Sequence, residues 1–534
     1  MSHRGRVRDR AEFAAGPVVI PGAVIPPGGW DDVIVGSGSA GAVLASRLSE
    51  CPDRRVLLLE AGEAATGPEP PAPLGTPVLT GANWGFDAWV GDSAGAGRRV
   101  PYPVGKVVGG SSAVNGGIAL RGLPADFDGW SAAGNPAWSW ERVRPYFERL
   151  EDDPREPDPS RRHPAPVPLW RPALEHLDPL GEAFLRACLS AGLPWVPDLN
   201  GSPAPGVGLI PSTARQGRRV SAADAYLKPV LGRPNLVLCP GWEVRRVLTA
   251  GCRAVGVEAS HQSRARVRIP AGRVTLSAGA ISTPAILQRS GIGDAGRIGA
   301  LGLDVVADLP GVGENLTDHP VVAIWARPRP GACRTGQPVH TVMARTASDG
   351  EGVDHGFFLA GSSSGHGLPV IGQMLGGQPG VSVSAVLLDP ASRGSVHLPA
   401  TTPDGHPEIV LRLASHRRDR DRLMTAARTA WSLIRSTELS GQLERVFVWT
   451  DRMVGEDALL SSAVSRFVAP LWHPAGTARM GPATDPLAVV DDHCRVHAMT
   501  GLNVVDASVM PVVPRATPNL SCMMLAERVA EWMA

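Results

Sequence analysis

The chain has 534 residues, 43% apolar and 19% charged, which suits large folded cores in more than one domain and argues against extended disorder. Lysine plus arginine number 52 against 51 aspartates and glutamates, so nothing in the charge calls for nucleic acid or an anionic membrane as the main partner. Seven scattered cysteines, with no CxxC pair, indicate neither a disulfide framework nor a zinc site, and no apolar run reaches the length of a membrane span.

Residues 1–30 begin basic and are then broken by Pro17, Pro21, Pro26 and Pro27. A secretory signal needs an unbroken apolar stretch, so this reads as a loosely ordered leader and a cytoplasmic location is expected. After Trp30, the apolar run Val33–Val35 ends in glycines, and residues 42–48 supply helix formers with an apolar face. Pro52 and Asp53 stop that helix, and residues 56–59 read as a buried parallel strand, completing one βαβ unit. Residues 64–101 are Gly/Pro-rich with little periodicity, 104–122 carry small residues that permit tight turns, and 150–170 form a charged, proline-dense connecting loop. Between 235 and 277 short β-rich runs alternate with turns, predicting a meander attached to the first unit. Residues 281–293 read as a helix stopped by glycine. The middle, 320–465, mixes strands with a Gly/Ser-rich loop at 359–380 and one helix over 420–436.

The first strand-to-helix turn is Gly36-Ser37-Gly38-Ser39-Ala40-Gly41, a G-x-G-x-x-G. Its glycines let the backbone turn sharply and approach a pyrophosphate seated at the positive end of the helix. Glu60 ends the second strand, where an acid can bind ribose hydroxyls and disfavours a 2′-phosphate. NADP is thereby disfavoured; NAD and FAD both remain open.

Several separated segments together resemble the glucose-methanol-choline (GMC) oxidoreductase family, in a choline dehydrogenase-like pattern. They are the βαβ unit with Glu60-Ala61-Gly62, GKVVGGSSAVN (105–115), SAGAISTPAILQRSG (277–291), GVGENLTDHP (311–320), PASRGSV (390–396), HPAGTARMG (473–481) and DASVMPVVPRATPNLS (506–521). The resemblance implies a mixed α/β chain: a Rossmann-like FAD-binding domain, discontinuous in sequence, plus a substrate domain with an antiparallel sheet. The corresponding division is a leader (1–30), FAD-binding segments (31–155, 216–315, 466–534) and substrate segments (156–215, 316–465). It further implies that Gly110, Ser111, Asn115 and Ile118 line the flavin side, that Val244 meets the adenine end, and that Asp506 and Ala507 lie near the ribityl and pyrophosphate. Some members tether FAD to a His just before the motif's Asn. Here that position is Val114, which has no nucleophilic atom, so dissociable FAD is expected.

By the same resemblance, His473 and Asn519 face the flavin N5 and act on an alcohol CH–OH group, giving an aldehyde or ketone. A neutral imidazole can accept the hydroxyl proton near neutral pH, and a carboxamide can donate to the developing alkoxide without changing charge. Pro474 keeps His473 extended, and Pro518 fixes its own φ ahead of Asn519. No metal is expected: His493, Cys494 and His497 have ligand-like spacing, but the segment reads as a strand, which would point them to alternating faces. Arg393 reads as a turn anchor, and Trp84, Trp89, Trp130, Trp138 and Trp140 as packing. Hydroxynitrile-lyase-like and light-driven decarboxylase chemistry on the same FAD fold are the alternatives. The substrate reads as a small neutral alcohol, with oxygen or another electron acceptor. The pattern is silent on oligomeric state.

Overall fold

A computed structural model describes residues 19–20, 23–26, 28–63, 82–95, 97–155, 165–262, 265–334, 338–350, 352–363, 369–376, 378 and 380–534. Most of the expected leader lies outside these residues; within it, Val19–Ile20 pairs antiparallel with Ala23–Val24.

The opening unit forms as expected: β1 (Trp30–Val35), α1 (Ser39–Leu48) and β2 (Val56–Leu59), with β2 wholly buried between neighbouring strands. β3 (Leu236–Cys239) lies parallel beside β2. β4 (Trp242–Ala250), β5 (Arg253–His261) and β6 (Val267–Leu276) run antiparallel to one another. The second half of β6 is gripped in parallel by β1 on one side and by β7 (Leu502–Val504) on the other. The meander expected over 235–277 is therefore corrected in two respects. Its first run joins the parallel core, and its last two runs are one ten-residue strand. Local apolar alternation cannot tell which neighbour a strand will find.

α2 (Gly279–Arg289) follows β6 and ends earlier than the sequence suggests, because Gly291 adopts φ +75 and Ile292–Gly293 is a short strand paired with Ala307–Asp308. α3 (Pro518–Met533) packs along α1, and the two are tied by buried Glu527, which accepts from Arg47 Nε at 2.9 Å and from Tyr226 Oη at 2.8 Å.

The second large sheet is antiparallel, in the order 443–446, 320–328, 380–387, 355–363, 340–346, 206–209. Helix Arg417–Arg435 covers it with Leu423, Ala426, Ala427, Ala430, Leu433 and Ile434, spaced as one helical face requires. Three more corrections concern local structure. Phe86–Val90 and Arg98–Tyr102 form a hairpin inside the stretch with little periodicity, supported by a parallel partner at Ile409–Val410. The supposed loop 150–170 contains paired strands at Glu151–Asp152 and Val167–Trp170. Residues 491–498 are turns and isolated bridges, not a strand. Among the described residues no helix is long and apolar enough to cross a membrane.

The βαβ turn is closed by contacts only glycine allows. Gly36 takes φ +95, and a Cβ on Gly41 would stand 1.9 Å from the Gly36 carbonyl oxygen. Gly41→Ala is expected to destabilise the protein by about 2 kcal/mol or more, as other overpacked backbone contacts do. Thermal denaturation of the cofactor-free variant checks this; an unshifted midpoint contradicts it.

Candidate active site

The carboxyl ends of β1, β2, β6 and β7 face one cavity of ≈ 430 Å³. It is the crevice where parallel sheets of this kind take ligands. Helix N-termini ring it: Ser39 and Ala40 of α1, Gly279 and Ala280 of α2, and Pro518 and Asn519 of α3 all line its wall. Their first-turn backbone N–H groups favour negative charge, a demand that Asp506 already meets in part at α2. No side chain caps α1, and the nearest atom to a Cβ built on Gly38 is Gly110 Cα at 3.9 Å, so this helix end lies open to a ligand.

Of the residues singled out from the sequence for a dinucleotide, Gly36, Gly38, Ser39, Ala40, Glu60, Gly110, Ser111, Asn115, Ile118, Val244, Asp506 and Ala507 all line this cavity. Ser37 and Gly41 stand behind the wall. Ser37 donates to Glu60 Oε2 from its backbone N at 2.9 Å and from Oγ at 2.8 Å, while Gly62 N donates to Oε1 at 2.8 Å. Burial raises the Glu60 carboxyl above its usual range, and those N–H donors work against the shift. Asp506 is held likewise, by Gly279 N at 2.8 Å and Thr283 Oγ1 at 2.6 Å. The donor set, the open helix end and the glycine cradle together fit a dinucleotide cofactor.

His473 and Asn519, 46 residues apart in sequence, line the same cavity. The Asn519 carboxamide oxygen accepts from Ser39 Oγ at 2.6 Å, so the end it can offer the cavity is its N–H₂ donor. Asn115 is fixed the same way, its oxygen held by Gly117 N at 2.9 Å and Arg219 Nη1 at 2.8 Å. The His473 backbone N donates to Asp318 Oδ1 at 2.9 Å, and Tyr102 Oη donates to Asp318 Oδ2 at 2.6 Å. Burial pushes the Asp318 carboxyl up to about 7. Burial also holds the His473 imidazole well below the ordinary histidine value, with the His319 ring adding to the shift. His473 Nδ1 lies 2.8 Å from His319 Nδ1.

The sequence assigned no role to Tyr102, Asp318 or His319, although the last two sit in the quoted GVGENLTDHP. It also missed the wall beside His473, where Val339, His340, Phe358, Ser384, Leu471 and Trp472 come together from strands and turns far apart in the chain. Trp84 belongs to the cavity, stacked on Phe86 with Lys106 Nζ 4.2 Å from its ring centre, whereas Trp130 and Trp140 pack with Phe127, Trp140 also with Phe147, and Trp138 with Trp130 and Trp532. Arg393 anchors its turn through the carbonyls of Pro390 and Ser392 and through Asn315 Oδ1. His493 Nδ1 pairs with Asp492 at 2.7 Å, His497 Nε2 with the Gly481 carbonyl at 3.0 Å, and Cys494 is buried, so the three do not gather.

Models of the GMC oxidoreductase family match residues 30–321 and 390–526. An uncharacterized GMC-type oxidoreductase of Rhodococcus erythropolis is 34% identical over 505 residues, 94% of this chain and 97% of that protein. An oxygen-dependent choline dehydrogenase of Sinorhizobium fredii is 33% identical over 533 residues, 94% of this chain and 95% of that one. The crystal structure of pyridoxine 4-oxidase from Mesorbium loti superposes with a TM-score of 0.83 at 32% identity, covering 94% of this chain and 99% of its own.

Because burial disfavours the imidazolium, the neutral form of His473 persists as pH falls and is lost only well below the ordinary histidine value of about 6.5. NMR of ring-¹³C-labelled histidine, with His473 assigned by its loss in His473→Gln, is expected to show no titration of this ring between pH 6 and 8. A midpoint at or above 6.5 overturns the assignment.

Proposed function

The chain belongs to the GMC oxidoreductase family, and from that premise we propose that it oxidises the CH–OH group of a small neutral alcohol, with FAD held in this cavity. The observation that carries the proposal is the meeting of the His473 imidazole, whose charged form the surroundings disfavour, and an oriented carboxamide donor in the cavity that the uncapped α1 end also faces. FAD, when bound, supplies the hydride acceptor that no side chain can provide. Every other part of the chemistry falls to the chain. His473 takes the hydroxyl proton, and the Asn519 N–H₂ group holds the alkoxide that forms. The residues of the β1–α1 turn and Glu60 hold the dinucleotide half, and the segments 31–155, 216–315 and 466–534 form the cofactor domain. Segments 156–215 and 316–465 supply the substrate domain.

Val114, buried at the cavity wall, offers no atom for a covalent bond, which supports dissociable FAD. The neutral-alcohol reading rests on the wall beside His473, where His340 is driven down to about 4 by burial and the other side chains carry no charge. The acidic residues that do line the cavity are all engaged: Glu60 by Ser37, Glu243 by Arg245, Asp404 by Arg245 and Arg266, and Asp506 by Gly279. A quaternary ammonium would find no free carboxylate there. The oxygen dependence in the name of the choline relative, and the oxidase activity in that of the pyridoxine enzyme, support molecular oxygen as the acceptor.

Anaerobic mixing of the FAD-loaded protein with a panel of alcohols tests the proposal. Neutral alcohols are expected to bleach the flavin faster than choline, and His473→Ala to slow the bleaching by about a hundredfold or more. A panel that leaves the flavin oxidised, as a lyase would, refutes the redox reading. Acid precipitation is expected to leave a colourless pellet; a yellow one refutes dissociable FAD.

A further inference from the structure

Antiparallel pairing brings 317–321 alongside 469–475: Thr317 bridges Ala475, and Pro320 and Val321 pair with Pro470 and Ala469. Between the two the register slips by two residues, and Trp472 takes φ +60 inside the slip. This irregularity turns the His473 side chain back across its partner strand, where it meets His319. The two rings stand nearly perpendicular, 89° apart, with centroids 5.1 Å apart and Nδ1 facing Nδ1 at 2.8 Å.

Two nitrogens of the same kind at that distance hold one proton between them: one donates and the other offers its lone pair. Burial keeps both rings neutral, His319 falling to about 4, so there is no second proton to share. Two arrangements are possible. In one, His473 Nδ1–H donates to His319, which leaves the His473 lone pair on Nε2. In the other the proton sits on His319 Nδ1, and His473 Nε2 carries hydrogen and cannot accept one.

The surroundings of His319 choose between them. The ring is fully buried, its Nε2 has no well-formed hydrogen-bond partner, and the Leu388 and Pro514 backbones act on the ring as acceptors. With Nδ1 taken up by His473, backbone acceptors that favour protonation of this ring favour an N–H rather than a lone pair on Nε2. The outer proton on His319 therefore forces its Nδ1 to accept.

We propose that His319 is a positioning residue that fixes His473 in the tautomer whose Nε2 lone pair is free to take the substrate proton. The inference rests on the reading of His473 as the proton acceptor. When the alcohol O–H bond breaks, its proton goes to Nε2 and the electron pair stays on oxygen, while Nδ1–H remains bonded to His319. A second neutral imidazole supports the resulting cation without bringing a fixed negative charge beside the alkoxide. Asp318 secures the backbone of the same residue, so consecutive side chains just ahead of strand 320–328 hold His473 at both its main chain and its ring.

The test uses ring-¹⁵N-labelled protein and two variants. In the wild type at pH 7, His473 is expected to show a protonated Nδ1 and an unprotonated Nε2; the reverse overturns the proposal without any substitution. His319→Leu removes the acceptor, while His319→Asn places a carboxamide oxygen near the position of Nδ1. With FAD content matched, His319→Leu is expected to slow anaerobic flavin reduction about 10- to 100-fold, as loss of an orienting partner does, leaving the half-saturating alcohol concentration within about twofold. His319→Asn is expected to recover most of that rate. Equal rates for wild type and His319→Leu overturn the proposal, as does a His319→Asn variant that is as slow as His319→Leu. Undiminished turnover in His473→Ala would instead remove the reading beneath it, a result distinguishable from all of these.

Discussion

The N-terminus of α1 is left uncapped at the floor of the cavity, and the rest of the site is arranged around that open end. Backbone can come this close only because Gly36 and Gly110 carry no side chains; a Cβ on Gly110 would stand 2.8 Å from Gly38 Cα. Ser37 turns away to brace Glu60, and Ser39, the first residue of the helix, reaches across to the Asn519 carboxamide at the start of α3. One turn of chain thus shapes the cavity floor and orients a donor encoded 480 residues later. The helix that would bind the cofactor phosphates and the helix that carries Asn519 are parts of a single packed pair, sealed by Glu527 between Arg47 and Tyr226.

What was legible in the sequence follows from that economy. Glycines at fixed offsets between a strand and a helix, with an acid at the end of the next strand, answer a local steric demand, so they can be read locally. The residues named from resemblance, from Gly110 to Ala507, reach the cavity for the same reason: short segments at strand ends have little freedom in where they point. His319 was not legible. Its role is set by a two-residue register slip against 469–475 and by the positive φ at Trp472, neither of which leaves a mark in composition or periodicity. The hairpin 86–102 escaped for a related reason, since its glycine- and proline-rich surroundings speak against strands while its pairing with 408–410 is long-range. The turns at 491–498 looked like a strand because apolar spacing alone does not reveal a chain that folds back on itself every few residues.

The cavity wall around His473, and the His319 ring behind it, carry little charge. Two imidazoles, His340 and His319, are each driven to about 4 by burial, and His473 is lowered in the same direction. A cluster of uncharged rings leaves the electrostatics of the site to the helix ends and to whatever ligand occupies them. Three N-termini directed at one cavity favour an anion, and a fixed carboxylate beside His473 would work against that field. Asp318 carries the nearest carboxyl to His473 in the bonded network, and it is turned to the backbone and to Tyr102, with burial holding it near neutral pH in its own titration.

The cluster of buried Tyr102, Asp318 and His319 with half-buried His473 is costly to the fold. Apolar residues of similar volume would pack there without any desolvation penalty, and buried polar groups are often no gain in stability over such replacements. Each member has instead been given a specific partner: the Tyr102 hydroxyl donates to Asp318, Asp318 accepts from the His473 backbone, and the two imidazoles share one proton. Such a chain defines a single arrangement of hydrogens, because changing one donor would leave an acceptor unpaired in an interior that cannot supply water. The definition matters most at the His473 ring, the one member of the four that lines the cavity. In the role proposed for it, His473 must have its lone pair on the correct nitrogen before an alcohol arrives, and a buried network would settle that question once, during folding, rather than at every turnover.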